Sequence, residues 1–217
     1  MSSSPPVERT PLSRERVIAA ALRLIDERGL AQLSMRRLGA ELGVEAMSLY
    51  KHVANKDALL DGVRELLLSE LADDAPAAGE DWTQELLAFA RRYRALGRAH
   101  PEAFSLLARG ADRAYVAGRA SAEAGLRSLL AAGFDADTAA YALRSVVRYV
   151  LGFSLIDMAG EDAPAPLPPS ELDALAREQP MVAGLMRSLG TGTEDPLFEF
   201  GLQALITGIA SMGPVAR

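Results

Sequence analysis

Residues 33–60 read LSMRRLGAELGVEAMSLYKHVANKDALL, and they carry the clearest structural signal in the chain. Ser34 is a residue type that caps helix N-termini, and Gly43 can take the left-handed conformation that ends a helix and turns the chain. A second, short helix is predicted from Glu45 to His52. Two short helices joined at a glycine are typical of a helix-turn-helix, although the spacing alone fits an ordinary helical hairpin equally well.

The flanking sequence supplies one helix before this pair and one after it. Ser13 is a predicted N-cap, and apolar residues then recur at helical spacing until Gly29 ends the first helix as a left-handed residue. Asn55 is the predicted cap of a fourth helix, which carries leucines as far as Leu71. A three-helix unit of this kind can project its third helix into the major groove of DNA.

Beyond residue 72, proline and glycine separate periodic apolar segments, and no segment shows the alternation of a strand. The predicted helices are Trp82–Ala99, Pro101–Ala108, Tyr115–Ala132, Asp137–Met158, Ser170–Leu189 (interrupted at Pro180) and Pro196–Met212. A composition shift at residues 73–79 predicts a joint between domains. We therefore expect an all-α protein with a disordered arm (1–12), an N-terminal three-helix helix-turn-helix domain (13–72) and a larger helical domain for ligand binding and dimerisation (73–217).

The composition narrows the classes of protein and of site. Of the 217 residues, 49% are hydrophobic, which is enough to form a buried core. None is cysteine, so disulfides and thiolate metal sites are excluded. The N-terminal residues lack the apolar core of a secretory signal, and no stretch approaches the roughly 20 apolar residues of a membrane span. We expect a cytoplasmic protein without membrane contact.

The net charge of −6 is unevenly distributed. Residues 1–72 hold ten basic and ten acidic side chains, and residues 34–56 alone carry a net charge of +2. Because salt screens charges beyond about 8 Å, a local basic patch is sufficient for phosphate contact. The overall acidity therefore does not argue against a nucleic-acid partner.

The stretch 33–60 resembles the DNA-binding domain of the tetracycline repressor family. The strings that carry the resemblance are Leu42-Gly43-Val44, Leu49-Tyr50, His52-Val53, Asn55-Lys56 and Leu59-Leu60. With the first helix it covers Ser13 to about Leu71, and residues 76–82 look like the start of that repressor's C-terminal domain type. The resemblance implies a homodimeric, ligand-responsive transcriptional regulator that binds a palindromic operator in double-stranded DNA. Repression, relieved by a small-molecule effector, is favoured over activation.

The resemblance also implies which residues contact DNA, and their chemistry is suitable. They are Ser34, Arg36, Ala46, Met47, Ser48, Tyr50, Lys51, His52 and Lys56. Ser34 would touch phosphate at a helix N-terminus, and Arg36 would reach a guanine edge. Residues 46–48 would face the groove floor. The DNA phosphate backbone would be held by Tyr50, Lys51, His52 and Lys56.

Three of the basic or apolar residues nearby have structural alternatives. Arg37 is more simply a solvated arginine than a DNA contact. Met47 could instead be part of the core. His52 could merely cap the C-terminal end of the third helix, where a cation is favoured.

The larger domain is expected to bind its effector without a metal or cofactor. Tetracycline repressors hold the drug through magnesium on a histidine, and the positions aligned with the drug-contacting histidine and asparagine are Ala72 and Phe89. The candidate pocket residues are Phe89, Tyr93, Phe104, Tyr115, Arg148, Tyr149, Phe153 and Met158, although aromatics at helical spacing are usually core. Arg92 and Arg148 gain interest if they are buried, since a buried arginine needs an anionic partner.

The two long predicted helices that end at Met158 and Met212 are predicted to form a four-helix dimer interface. The second of them carries an apolar stripe of Phe198, Leu202, Leu205, Ile206 and Ile209, and Gly201 and Gly208 permit close approach.

Two other classes of function are the alternatives. A helical enzyme is disfavoured because the chain has two histidines, no cysteine and none of the common nucleophile, phosphate-loop or zinc motifs. A protein-interaction bundle without DNA binding is the second alternative, and binding to DNA fragments distinguishes it from a regulator.

Overall fold

A computed structural model of the chain describes residues 11–73, 81–109, 111–158, 167–189 and 195–213. Within these ranges the chain is helical and contains no strand, which confirms the all-α prediction. The helices are α1 (Arg14–Arg28), α2 (Met35–Leu42), α3 (Ala46–Leu49), α4 (Lys56–Asp73), α5 (Trp82–Ala99), α6 (Pro101–Ala108), α7 (Ala111–Ala117), α8 (Arg119–Ala131), α9 (Ala136–Met158), α10 (Pro169–Glu178), α11 (Pro180–Leu189) and α12 (Asp195–Met212). The predicted disordered arm lies outside the described residues except for positions 11 and 12.

The caps predicted for the first helices are confirmed. The hydroxyl of Ser13 accepts a hydrogen bond from the amide of Arg16 at 3.2 Å. Asn55 accepts from the amide of Ala58 at 2.8 Å and starts α4. Gly29 ends α1 with the expected positive φ of 83°, but its ψ of 152° is extended rather than left-handed. The chain therefore leads directly into a short 3₁₀ turn, Leu30–Gln32, before α2.

The turn between α2 and α3 forms as the sequence predicts. Ser34 accepts from the amide of Arg37 at 3.2 Å, and Gly43 is left-handed with φ 67° and ψ 32°. Helix α3 is shorter than the predicted segment of residues 45–52. Its last turn loosens, and the amides of His52 and Val53 both donate to the carbonyl of Leu49, at 2.9 and 3.0 Å.

One segment predicted as a single helix is divided, and one predicted interruption is confirmed. The predicted helix 115–132 divides at Gly118 into α7 and α8. A Cβ at Gly118 would lie 3.2 Å from the side chain of Leu68, so glycine permits a close approach to α4 there. The interruption expected at Pro180 separates α10 from α11, because proline has no N–H to continue the ladder.

The chain forms two compact units. The first unit comprises Met1–Ala75 and Ala95–Glu123, and in it α1 packs on α2, α4 and α6 while α4 also packs on α7. The second unit comprises Pro76–Arg94 and Ala124–Arg217, where α9 packs on α12 and α10 on α11. The domain boundary that the sequence predicts near residue 73 stays a prediction. The units group residues 95–123 with the N-terminal helices through contacts that are distant in sequence.

Among the described helices, α9 is long and apolar enough to cross a membrane by length and composition. This is weak evidence, because core helices of soluble proteins have the same properties. The buried residues of α9 are Ala139, Ala142, Leu143, Val146, Val150, Leu151 and Ser154. Their spacing is typical of a helix that packs on one side.

Candidate DNA interface and effector site

The helix-turn-helix is held by its apolar side. Leu38 of α2 and Leu49 of α3 are fully buried, and Val44 between the two helices is half-buried. Burial of each leucine contributes about 1.5–3 kcal/mol. This packing fixes the orientation of α3, so its opposite side faces solvent.

The exposed side of α3 carries the predicted base-reading residues. Met47 is 72% exposed, so it is not a core residue of this chain. Ala46 and Ser48 beside it are half-buried. A small side chain, a thioether and a hydroxyl together present methyl contacts and one hydrogen-bonding group, which suits thymine methyls and base edges in the major groove.

The turn after α3 carries the next three predicted contacts. Tyr50 and Lys51 are exposed, and His52 is half-buried. All three belong to the turn that closes on the carbonyl of Leu49. The structure therefore brings the predicted backbone contacts directly beside the predicted base contacts.

The start of α2 is braced by an arginine that sequence reasoning treated as solvated. Arg36 and Arg37 are both exposed. The guanidinium of Arg37 donates to the carbonyl of Gln32 at 3.1 Å and also to the Gln32 side chain. Arg37 therefore fixes the 3₁₀ turn against the helix start, while Arg36 points its exposed side chain from the same first turn.

Lys56 has a structural partner that its sequence position did not reveal. Its ammonium donates to the carbonyl of Leu33 at 2.8 Å, and so joins the start of α4 to the residue before the α2 cap. The partners are 23 residues apart, which no local spacing rule anticipates. An ammonium has three donors, so a phosphate contact remains compatible with this bond.

Gly39 is a residue that sequence reasoning missed. It is buried in α2, and a Cβ there would lie 2.8 Å from the carbonyl oxygen of Val44 and 3.1 Å from the amide of Ala46. Only a glycine lets the backbone of α2 approach the start of α3 this closely. The signal in the sequence was a glycine inside a helix with no capping role, which often has a packing reason.

The predicted effector residues fall into both units. Phe104 and Tyr115 belong to the first unit, and the remaining six belong to the second. Phe104 is fully buried beside Gly97, where a Cβ would lie 3.3 Å from its ring. Arg148 is exposed, so the argument from burial does not apply to it. The same exposed face of α9 carries Tyr141 and Ile156, which are 68% and 77% exposed.

Aromatic residues cluster within the second unit. The ring of Tyr149 lies 5.8 Å from Phe153 and 5.5 Å from Phe198, and its hydroxyl donates to the Phe198 carbonyl at 2.8 Å. Burial is the main cause that raises the pKa of this hydroxyl. Phe89 and Tyr93 form a second pair with ring centroids 5.7 Å apart.

The buried arginine of this unit is Arg94, which sequence reasoning did not single out. It is 5% exposed and pairs with Asp157 at 2.7 Å and with Asp195 at 3.0 Å. Its guanidinium also lies over the rings of Phe153 and Phe198, at 4.9 and 4.3 Å from their centroids. Both partners follow Arg94 by more than sixty residues, so spacing carries no signal for them.

The apolar stripe predicted as the dimer contact of α12 faces the core of its own unit instead. Phe198, Leu202, Ile206 and Ile209 are buried within the chain, and Leu205 is half-buried. Phe200 lies on the opposite face of α12 and is 75% exposed, and Leu197 and Met212 near the two ends of the helix are also exposed. The sequence does not distinguish the buried stripe from the exposed residues of α12, because both sets are apolar.

No group of three or more histidine and acidic side chains that could hold a metal occurs among the described residues. Phe89, at one of the two aligned drug-contact positions, is half-buried against Tyr93. The side chain of Ala72, at the other, lies outside what the structure describes.

Two family models match the chain. One is described as Bacterial regulatory proteins, tetR family, and matches residues 17–63, which include α2 and α3. The other is described as Tetracyclin repressor-like, C-terminal domain, and matches residues 75–212. The chain belongs to the tetracycline repressor family.

Individual relatives are similar to this chain over nearly its whole length. The Tetracycline repressor protein class A from transposon 1721 of Escherichia coli is 33% identical over 213 residues, 96% of this chain and 95% of the relative. A possible TetR family transcriptional regulator from Streptomyces coelicolor A3(2) is 31% identical with a TM-score of 0.76, over 92% and 100% of the two chains. ActR from Streptomyces coelicolor, solved with actinorhodin, is 27% identical with a TM-score of 0.75, over 93% and 98%.

Membership of the family confirms the function expected from the sequence. The protein is a DNA-binding transcriptional regulator of the helix-turn-helix type.

Proposed function

We propose that this regulator is a repressor that leaves its operator when a bulky, largely apolar effector binds without metal. Repression is supported by the tetracycline repressor that shares 33% of its residues. The exposed outer face of α3 carries the DNA-binding part of the proposal, because Met47 is 72% exposed there on a helix whose other side is fixed by Leu49.

The proposed DNA contacts divide into two kinds. Arg36 and residues 46–48 read bases, while Ser34 and residues 50–52 hold phosphate together with Lys56. This division is supported by the exposure of Arg36 and Lys51 and by the small side chains at the outer face of α3.

Operator selection from a random DNA library, followed by affinity measurements at several salt concentrations, tests the division. Arg36→Ala should cost about 1–3 kcal/mol and relax specificity at one base pair per half-site. Lys51→Ala and Lys56→Ala should weaken all sequences equally and lower the salt slope by about 1 each. Only Lys56→Ala should also lower Tm, because its ammonium bonds to Leu33. Equal losses for all three variants on every operator variant contradict the assignment.

The effector proposal rests on the aromatic clusters of the second unit and on Phe89 at an aligned drug-contact position. ActR, solved with actinorhodin, supports a small-molecule effector for a protein of this type. Tetracycline with magnesium is proposed not to act, because the aligned positions supply no metal ligand.

Fluorescence anisotropy of the protein on its selected operator tests the effector class. Apolar aromatic compounds, including actinorhodin, are titrated with and without EDTA, beside tetracycline with Mg²⁺. Release by an apolar compound that EDTA leaves unchanged is expected, with DNA affinity falling about 5–150-fold. Release that requires tetracycline and Mg²⁺ overturns the effector proposal and leaves DNA binding intact.

The proposed dimer contact uses the exposed faces of α9 and α12. Ile156 and Phe200 are 77% and 75% exposed, and a Cβ at Gly152 or Gly208 would meet nothing within 4 Å in this chain. Exposed apolar helix faces of this extent are typical of interfaces between subunits.

Phe200→Asp should therefore yield monomers and abolish specific operator binding, since one subunit reads only one half-site. Ala174→Asp adds the same charge at an exposed position of α10 and serves as the control. Sedimentation of both variants is the measurement. A Phe200→Asp dimer as stable as the wild type contradicts the proposed face.

We also propose that the protein is cytoplasmic and that it has no catalytic activity. The homologous tetracycline repressors are regulators, which supports this part of the proposal.

A further inference from the structure

Arg94 has one donor that none of the described residues accepts. Its Nη2 donates to Asp157 at 2.7 Å, and its Nη1 lies 3.0 Å from a carboxylate oxygen of Asp195. Its Nε is buried and has no hydrogen-bond partner in the described part of the chain. An unmade hydrogen bond from a buried charged group is costly, so this N–H is a place where a ligand oxygen gains affinity.

Ser154 of α9 supplies a second polar atom of the same kind. The residue is 3% exposed, and its hydroxyl also lacks a partner within the described ranges. Ser154 precedes Asp157 by three positions, so the two side chains are neighbours on the surface of α9. Because Asp157 binds Arg94, the hydroxyl and the guanidinium lie at the same stretch of α9.

Aromatic rings of the second unit lie around these two polar groups. The guanidinium of Arg94 is 4.9 Å from the ring centre of Phe153 and 4.3 Å from that of Phe198, and Phe153 adjoins Ser154 in the chain. The hydroxyl of Tyr149, which belongs to the same cluster, already donates to the Phe198 carbonyl. Arg94 and Ser154 are therefore the groups of this cluster that can donate to an aromatic effector.

The charge of the cluster decides which chemical group fits. Arg94 faces the two carboxylates of Asp157 and Asp195, and the pair of Arg91 and Glu199, also on α5 and α12, adds no net charge. One negative charge is therefore in excess, and it opposes a carboxylate ligand in a poorly solvated place. An ammonium carries donors only, so it cannot accept from Nε. A neutral carbonyl oxygen can accept from both Arg94 and Ser154.

We propose that Arg94 Nε and the Ser154 hydroxyl form a polar subsite that binds a neutral carbonyl oxygen of the effector. This deepens the proposal of an apolar effector and rests on it, since the aromatic rings hold the apolar body of the same molecule. The subsite distinguishes apolar compounds by one oxygen atom. It accepts a ketone, a quinone or an amide, whereas a hydrocarbon of the same shape leaves both donors unpaired.

Four compounds with one tricyclic skeleton test this chemistry. Fluorene has no polar group, fluorenone has a neutral carbonyl, and the carboxylate and the amine on the same carbon supply an anion and a cation. Equilibrium dialysis against the full-length protein at neutral pH measures each Kd. Fluorenone should bind about fivefold or more tightly than fluorene, because two buried donors gain an acceptor. The carboxylate and the amine should bind no more tightly than fluorene.

Ser154→Ala is the test variant, and it should give two results that a merely structural residue does not combine. Removal of an unpaired buried hydroxyl should leave Tm unchanged or raise it. The preference for fluorenone over fluorene should nevertheless fall by about threefold or more. Ser145→Ala removes an exposed hydroxyl from the same helix and is the matched control, which should keep the full preference.

Arg94 is followed in the wild-type protein, because its replacement would also leave Asp157 without its cation. The proton resonance of the Arg94 Nε–H should move downfield when fluorenone binds, as a new hydrogen bond requires. It should not do so when fluorene binds. A resonance that responds equally to the two compounds contradicts the role of this donor.

The outcomes separate the subsite from the wider effector proposal. The subsite is overturned if fluorenone and fluorene bind equally, if the carboxylate or the amine binds most tightly, if Ser154→Ala keeps the preference, or if Ser145→Ala loses it equally. Binding of fluorene in any of these cases leaves the apolar effector proposal in place. Failure of all four compounds to bind defeats the apolar effector proposal and the subsite together, while operator affinity, measured separately, tests the DNA-binding part.

Discussion

The helix-turn-helix and the α5–α9–α12 core use polar side chains in opposite ways. In the helix-turn-helix, Ser13 and Ser34 each bond to an amide three residues away, at exposed or half-buried positions. In the second unit, Arg94 is buried and bonds to Asp157, 63 residues away. Local caps set where helices begin, whereas distant buried pairs set which helices pack together, and losing them carries different penalties.

Removal of the buried charge should have the largest effect. Arg94→Met leaves the largely buried Asp157 without its cation, and we expect a loss of about 3–5 kcal/mol in the free energy of unfolding. Arg91→Met, which breaks the exposed pair with Glu199, is the control and should cost less than about 1 kcal/mol. Urea unfolding at one fixed protein concentration measures both. Equal losses would mean that burial does not distinguish the two arginines.

A methyl group at the α2–α3 contact should have the next largest effect. Gly39→Ala places a Cβ against the backbone of Val44, which cannot move without displacing α3, so we expect about 1–3 kcal/mol of destabilisation and weaker operator binding. Gly43→Ala meets nothing within 4 Å and carries only the strain of a left-handed residue, about 1–2 kcal/mol. Operator affinity, corrected for the fraction of unfolded protein, separates the two variants. A larger corrected loss of affinity for Gly43→Ala than for Gly39→Ala contradicts the packing argument.

The two serine caps offer a matched pair with a smaller effect. Ser13→Ala and Ser34→Ala each remove one cap and should each cost about 1 kcal/mol of stability. Only Ser34→Ala should also weaken the operator complex, because Ser34 starts the helix that approaches DNA. Thermal unfolding and operator titration of both variants test this, and an equal loss of affinity would show that Ser34 acts through stability alone.

The exposed pair of the second unit should give the smallest effect, and it depends on pH. Hydrogen bonds from Arg91 are the main cause that lowers the pKa of Glu199. A lowered carboxyl pKa gives stability that is present above the ordinary value, near 4.5, and is lost as the pH falls through the folded value. Glu199→Gln should lose less than about 1 kcal/mol at neutral pH and converge with the wild type in acid. A difference that grows as the pH falls contradicts the sign.

Residue types and their spacing were sufficient to predict the helix-turn-helix, its caps at Ser13, Ser34 and Asn55, and the left-handed turn at Gly43. These features depend on bonds and dihedral angles within a few residues, so residue type and spacing suffice to predict them. The sequence also determined that the larger part of the chain is helical, because the apolar period is a local property.

Long-range packing selects which apolar face of α12 is core, which arginine of α5 is buried, and what Lys56 contacts. Phe198 and Phe200 are both apolar and two positions apart, yet one is buried and the other 75% exposed. Arg94 differs from its neighbours only by the side of α5 it occupies relative to Asp157 and Asp195. These outcomes depend on contacts between residues tens of positions apart, and a helical period fixes relative faces without saying which partner each face meets.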